Sequence, residues 1–311
     1  MNVYNIIHEV FSCIKGGINM TLAKFGILRT VVEAGSLTKA AETLNLTQSG
    51  VSHAIASLES EMGFPLLKRD RAGISLTDNG ERILKYIREI LHWDELLKQE
   101  AAAIKGIEVG TVRIGTFTSV STLWLPGIIK QFQHLHPSIE IKLLEGNYTD
   151  IDQWILNGSV DFGFVSLPTS SPFDIIPLKK DRMLCILPKD HALCGQPKVR
   201  WQEIIDEPFI MPKVGCDNDV RRILKEQGIT PNIKFEVADD HAIIAMVQNG
   251  IGISILPEMI LFNKPGNICT PELEGDNYRS IGIATVSLIK SSPAAIRFIK
   301  CVKTWICKAQ G

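Results

Sequence analysis

The sequence predicts an α+β multidomain chain: an N-terminal module of short helices closed by a hairpin, a long linker helix, and a C-terminal α/β region of two subdomains. Three observations predict it. Between Thr21 and Glu59 apolar residues recur at helical spacings of three and four. From Thr77 towards Gly106 that spacing continues far beyond an ordinary helix. After Gly110 the order β-α-β repeats with short links, which points to an open, mainly parallel sheet.

A length of 311 residues allows two or three domains, and 45% apolar content is enough for a sizeable core. The formal net charge of -1 announces neither a nucleic-acid nor a membrane partner, so only local charge could. Cys13, Cys185, Cys194, Cys216, Cys269, Cys301 and Cys307 are odd in number and widely spaced, with no CxxC. That argues against a disulfide framework or a zinc site and for a reducing, cytoplasmic setting. No apolar run approaches the roughly 18 residues of a membrane span. The opening MNVYNIIHEVFSCIKGGIN lacks a basic leader, and His8, Glu9 and Lys15 interrupt it, so 1–19 reads as an extension and not a signal peptide. The expected divisions are an N-terminal module at 20–77, the linker helix at 78–106 and a C-terminal α/β domain at 107–311. Within the last, 107–182 and 281–311 form one subdomain and 183–280 the other.

In the first helix Phe25, Leu28 and Val32 keep helical spacing, and Gly35 ends it. Ser36 caps a second helix with Leu37, Ala40, Ala41 and Leu44 inward, where the adjacent alanines let another helix approach. The stretch LNLTQSGVSHAIASLE then holds a third helix, N-capped by Thr47. Val51, Ile55 and Leu58 form an apolar stripe. Ser49, Ser52, His53 and Ala56 form a second stripe that is short, polar and free of acids until Glu59. Solvated faces carry Glu and Lys; a face meant for another polar surface looks like this one. Two short helices around a tight turn, the second with such a face, suggest a helix-turn-helix from Ser36 to Ile55, a motif whose second helix enters the DNA major groove, with Thr47, Gln48, Ser49, Ser52 and His53 as the expected contacts.

Pro65 stops that helix, and Lys68, Arg69 and Arg71 surround a hairpin turn at Ala72 and Gly73, with Ile74 and Leu76 alternating as a strand. A basic hairpin beside a helix-turn-helix reads as a wing that reaches phosphates. The basic residues Lys24, Arg29, Lys39, Lys68, Arg69 and Arg71 are nearly matched by Glu33, Glu42, Glu59, Glu61 and Asp70, so position and not net charge carries the reading. In the linker helix Ile83, Ile87, Ile90, Leu97, Ala101 and Ile104 make a heptad-like seam interrupted by Asp94. Pairing with a second copy would cover it.

The run SLTKAAETLNLTQSGVSHAIASLESEMGFPLLKRD, followed by SLTDNG, resembles the N-terminal signature of LysR-type transcriptional regulators in order and spacing. Gly50 departs from the bulkier residue or Ala common in the family, and Leu67 stands where Phe is common. The resemblance implies a sequence-specific regulator of double-stranded DNA that is a homodimer, or a homotetramer, and contacts RNA polymerase if it activates. The downstream strands and helices, crossed twice by the chain, resemble the periplasmic-binding-protein fold of the family's effector domain. That implies a small-molecule effector, with no cofactor, in a cleft that closes as a hinge.

For the effector, loops after strands and helix starts are the candidates. Thr116, Phe117, Thr118, Ser119 and Ser121 precede a helix expected over Thr122–Leu135 and offer hydroxyls and backbone N–H groups. Ser166 follows a strand, and Gly215, Cys216 and Asp217 precede another helix. If Asp217 and Asp219 face the cleft, they suit a ligand that also carries an amine; otherwise they cap the helix. Cys216 has a second reading as a redox thiolate at a helix N-terminus. His134, His136, His191 and His241 lack metal-ligand spacing and read as structural. An enzyme or a transport binding protein is the rival reading, but GxSxG, HExxH and phosphate-cradling glycine loops are missing from the sequence and the N-terminal helices would go unexplained. A DNA-binding scaffold with a vestigial cleft is the third.

Overall fold

The structure, a computed structural model, describes residues 21–70, 73–262 and 266–309. The extension at 1–19 lies outside them. The chain forms two compact units, Met1–Lys98 and Gln99–Gly311.

The first unit holds α1 (Leu22–Ala34), α2 (Leu37–Leu44), α3 (Gln48–Met62), the hairpin β1 (Leu67–Asp70) and β2 (Gly73–Leu76), and the start of α4 (Asp78–Ile104). Caps written in the sequence set the helix limits. Thr21, Ser36 and Thr47 accept from the backbone N–H three residues on, and Gly35, Asn45 and Gly63 turn left-handed at the helix ends. Phe25, Leu28, Val31, Leu37, Ala40, Ala41, Val51, Ile55 and Leu58 share one core with Leu66, Leu84, Ile87 and Leu91. Ile87 therefore faces its own module and does not belong to the expected seam.

The second unit contains β3 (Gly110–Thr116), α5 (Thr118–Leu123), α6 (Leu125–Leu135), β4 (Ile139–Glu145), α7 (Tyr148–Leu156), β5 (Phe162–Leu167) and the long β6 (Asp174–Pro188). Short β7 (Lys198–Val199), β8 (Pro208–Pro212), α8 (Asn218–Glu226), β9 (Asn232–Val237), α9 (Asp240–Gln248), β10 (Ser254–Pro257), β11 (Ile268–Cys269) and β12 (Glu272–Leu273) follow. Then β13 (Tyr278–Thr285) returns, and α10 (Pro293–Ala309) closes the chain. One core gathers residues of β3, β5, β13, α5 to α7 and α10, with Met259. Two further cores lie on either face of the second half of β6.

Two expectations need correction. The sheet is mixed and not mainly parallel: β3 pairs in parallel with β4 and β5, but β13 runs antiparallel to both β5 and β6, and β10 antiparallel to β6. The second crossing of the chain forces this, because a returning strand must oppose the outgoing one. The helix expected over Thr122–Leu135 is two helices that meet at Trp124. Pro126 has no N–H for the carbonyl four residues back, which permits the break.

A third correction concerns the cysteines. Cys194 and Cys269 are joined in a disulfide, 75 residues apart in sequence. Spacing alone could not reveal a pair that only the packing of β11 on the end of β6 brings together. Cys185 and Cys301 are buried, while Cys216 is half-buried and Cys307 exposed.

Candidate functional site

The candidate DNA-facing surface is built on α3. Its buried stripe of Val51, Ile55 and Leu58 is anchored in the core, so the opposite face is turned out. Gln48, Ser49, His53 and Ala56 are exposed and Ser52 half-exposed. The Thr47 hydroxyl is engaged: it accepts from Gly50 N at 3.1 Å and lies 3.2 Å from Ser49 Oγ. Glu59 fixes the wing, accepting from Leu66 N at 2.7 Å and Leu67 N at 3.0 Å. Lys24 on α1 donates to Ser57 at 3.1 Å and pairs with Glu61, holding α3 at a set angle. That hydrogen bond from Lys24 holds the Glu61 carboxyl below the usual carboxylate range. On the wing Lys68 is exposed. Arg71 and the side chain of Arg69 lie outside the described residues.

In the second unit, a cavity of about 240 Å³ lies between the two lobes. Four of the residues expected at an effector site line it: Phe117, Thr118, Ser119 and Cys216. Ser166 borders a neighbouring cavity of about 180 Å³, and Tyr148 and Asp219 line both. The remaining candidates do not line it. Thr116 is buried and accepts from the Ser121 hydroxyl at 3.3 Å. Asp217 is buried, accepting from Gly215 N at 3.1 Å and pairing with Arg221. Gly215 has φ of +97°, its carbonyl accepts from Tyr148 N at 3.1 Å, and a Cβ there would lie 2.9 Å from the Asn147 side chain. It permits a close approach between the lobes and is not itself a wall of the cavity.

The centre of the cavity is a residue the sequence reading missed. Arg279, 3% exposed, donates to Ser119 Oγ at 2.6 Å, to Tyr148 Oη at 2.9 Å and through Nε to Asp181 at 2.9 Å. Asp181 also accepts from Met259 N at 3.2 Å. The Tyr148 hydroxyl donates to Asp219 at 3.2 Å, and Ser166 donates to Asp219 at 2.9 Å. Burial disfavours a charge on Arg279, but the Tyr148, Asp181 and Asp219 oxygens more than offset it, and the guanidinium stays protonated. Burial also raises the Tyr148 hydroxyl. Asp219, in the first turn of α8, was already a candidate from the sequence; Arg279 near the start of β13 and Asp181 in the middle of β6 gave no local signal.

Cys216 does not fit a thiolate site. Burial pushes its thiol up, and Asp240, Asp217 and Asp150 push it further. His136 Nδ1 meets Glu108 at 2.5 Å and His191 Nε2 lies 3.2 Å from Glu207, so both have structural partners.

A helix-turn-helix module on one chain with a bilobed α/β domain around a buried cleft defines a DNA-binding protein with a ligand-binding domain attached. The family profile for the bacterial regulatory helix-turn-helix protein, lysR family, matches residues 22–81, and that for the LysR substrate binding domain matches residues 105–306. The chain belongs to the LysR family: it is a transcriptional regulator with a helix-turn-helix DNA-binding domain and a substrate-binding domain, and not an enzyme. It is 36% identical over 287 residues to the uncharacterised HTH-type transcriptional regulator YvbU of Bacillus subtilis, covering 91% of this chain and 98% of that protein. With the HTH-type transcriptional activator CmpR of Synechocystis sp. it shares 30% over 262 residues, 83% of this chain and 86% of that one. Full-length OxyR from Pseudomonas aeruginosa has the same fold, with a TM-score of 0.75 at 22% identity over 93% of this chain and 95% of that one. So does full-length CbnR complexed with its target DNA, at 0.65 and 22% over 92% and 99%.

Proposed function

We propose that residues 20–77 read a specific DNA sequence through Gln48, Ser49, Ser52 and His53 in the major groove, with Thr47 fixing the start of the helix. Lys68, Arg69 and Arg71 grip phosphates on either side. Residues 78–106 pair two copies, which a homotetramer would double, and residues 107–311 bind a small-molecule effector in the cleft at Phe117, Thr118, Ser119 and Cys216. The protein works in the cytoplasm and, if it activates, contacts RNA polymerase. The observation that carries this reading is the outward face of α3: exposed, short, polar and without an acid, opposite a fully buried stripe.

Selection of bound sequences from a random duplex pool tests it. Gln48→Ala should change the preferred base at one position, where a paired contact is worth about 1–3 kcal/mol. Lys68→Ala should weaken binding to all sequences alike and lower the salt slope by about 1. Equal losses on every sequence for both variants would contradict these roles.

A further inference from the structure

The charges in the cleft narrow what can occupy it, given the reading above that this cavity holds the effector. Its guanidinium is already engaged. Besides its bonds to Ser119 and Tyr148, Arg279 directs Nε and Nη2 at Asp181, 2.9 and 2.7 Å away, so its charge is matched by a carboxylate buried behind it. An incoming anion would find this cation neutralised.

The carboxylates on the walls are of another kind. Asp219, Asp239 and Asp240 all line the cavity. Asp219 accepts from two neutral hydroxyls, with Arg222 Nη2 3.8 Å away. Asp239 is occupied in capping α9, accepting from His241 N at 2.7 Å and Ala242 N at 3.1 Å. Asp240, the first residue of α9, is half-buried, and no hydrogen bond to its carboxylate occurs among the described residues. Burial raises its pKa, Arg279 opposes the shift, Asp239 adds to it, and His241, which also lines the cavity, opposes it. Its ionised form is therefore compensated only in part, by charges that make no hydrogen bond to it, and a bound cation would supply the rest. Of the two aspartates the sequence suggested for this wall, Asp219 lines the cavity and Asp217 is turned away, while Asp239 and Asp240 line it as well.

We propose that the cleft takes a small ligand bearing a protonated amine, with the ammonium against Asp240 and Asp219, and discriminates against plain mono- and dicarboxylates. A volume of about 240 Å³ is that of a metabolite and lies below the roughly 300–1,000 Å³ of drug-sized sites. Thr118 and Asn147, uncharged and on the opposite lobe from Asp240, suit a carboxylate, carbonyl or hydroxyl at the other end of the ligand.

Thermal unfolding of the full chain with matched probes tests this. Each α-amino acid is set beside its amine-free counterpart (L-glutamate with glutarate, L-alanine with propionate, L-lysine with hexanoate), together with the diamines putrescine and cadaverine. At least one amine-bearing probe should raise Tm by about 5–10 °C at a hundredfold excess over its Kd, and its counterpart should not. Asp240→Asn and Asp240→Ala should each weaken that probe about tenfold or more. If amine-free carboxylates raise Tm as far as their partners, or the Asp240 variants leave affinity unchanged, the amine preference is overturned and the cleft reading survives. If no probe shifts Tm, the cleft reading and this proposal fall together.

Discussion

At the residue scale, two glycines separate freedom from necessity. A Cβ on Gly80 would lie 2.1 Å from the Leu66 carbonyl oxygen and 3.0 Å from Leu76 Cδ2, so α4 can start against the wing only without a side chain there. Thr77 reinforces that corner, accepting from Gly80 N at 3.0 Å and donating to Pro65 O at 2.8 Å. Gly80→Ala should cost about 1–3 kcal/mol of overpacking strain in denaturant unfolding. Gly26, in α1, would place a Cβ with nothing within 4 Å. Gly26→Ala should stabilise by about 0.5–1 kcal/mol, because Ala loses less backbone entropy in a helix. Glu61 adds a pH dependence. Its folded pKa is depressed below the ordinary 4.5, first by the hydrogen bond from Lys24. The stabilisation is thus present above 4.5 and lost as pH falls through the lower folded value. Glu61→Gln should flatten the acid-side slope of stability over that interval, and between pH 6 and neutrality it should lower stability by a constant amount without changing the slope.

At the element scale, α4 carries two stripes. Leu84, Ile87 and Leu91 are buried in the N-terminal core. Tyr86, Ile90, Trp93, Leu97 and Ile104 alternate by three, four and seven along another side, and are 60, 43, 49, 68 and 82% exposed. Charged residues usually occupy such exposure; a run of large apolar groups in heptad register calls for a second helix. Asp94 does not interrupt this stripe, because Trp93 occupies the seam position beside it. Leu97→Glu should weaken self-association more than about 100-fold, as two leucines per dimer lose roughly 1.5–3 kcal/mol each. Sedimentation velocity would show the wild type as a dimer or larger and the variant as monomer at the same concentration. A variant that sediments like the wild type would place the seam elsewhere.

The recognition helix was legible because its signal is local: one turn of 3.6 residues sorts Val51, Ile55 and Leu58 from Ser52 and His53 within a single window. The cleft was legible only at its rim. Thr118 and Ser119 open α5 directly after β3, and Cys216 sits in the turn between β8 and α8, where position alone marks them. Arg279 reaches Tyr148 and Ser119 across 131 and 160 residues of chain, a distance no periodicity spans. The strand β6 was half-read for a related reason. Lys179, Lys180, Asp181 and Arg182 break its apolar alternation, since they sit where the strand leaves one core before entering the next.

On the scale of the whole ligand-binding unit, the Arg279–Asp181 pair is the point on which both lobes depend. Arg279→Ala would leave Asp181, 4% exposed, without its counter-ion. Unfolding should cost about 3–5 kcal/mol less stability for that variant than for the wild type. Adding Asp181→Ala should restore part of the loss, because the uncompensated charge is then removed as well. A double variant no more stable than the single one would show that the ion pair is not the source of the effect.

The same pair faces itself across β6 and β13, where Asp181 is the register partner of Arg279. Both strands run unbroken through the boundary, and the register slips between Ile281 and Gly282 just beyond it. A ribbon of two bonded strands resists bending but yields to twist, the more so beside a bulge. The lobes therefore have no slack segment about which to flap. Any closure should therefore wind that ribbon as a torsion spring is wound, and an emptied cleft should recoil open without needing a partner to pry it apart.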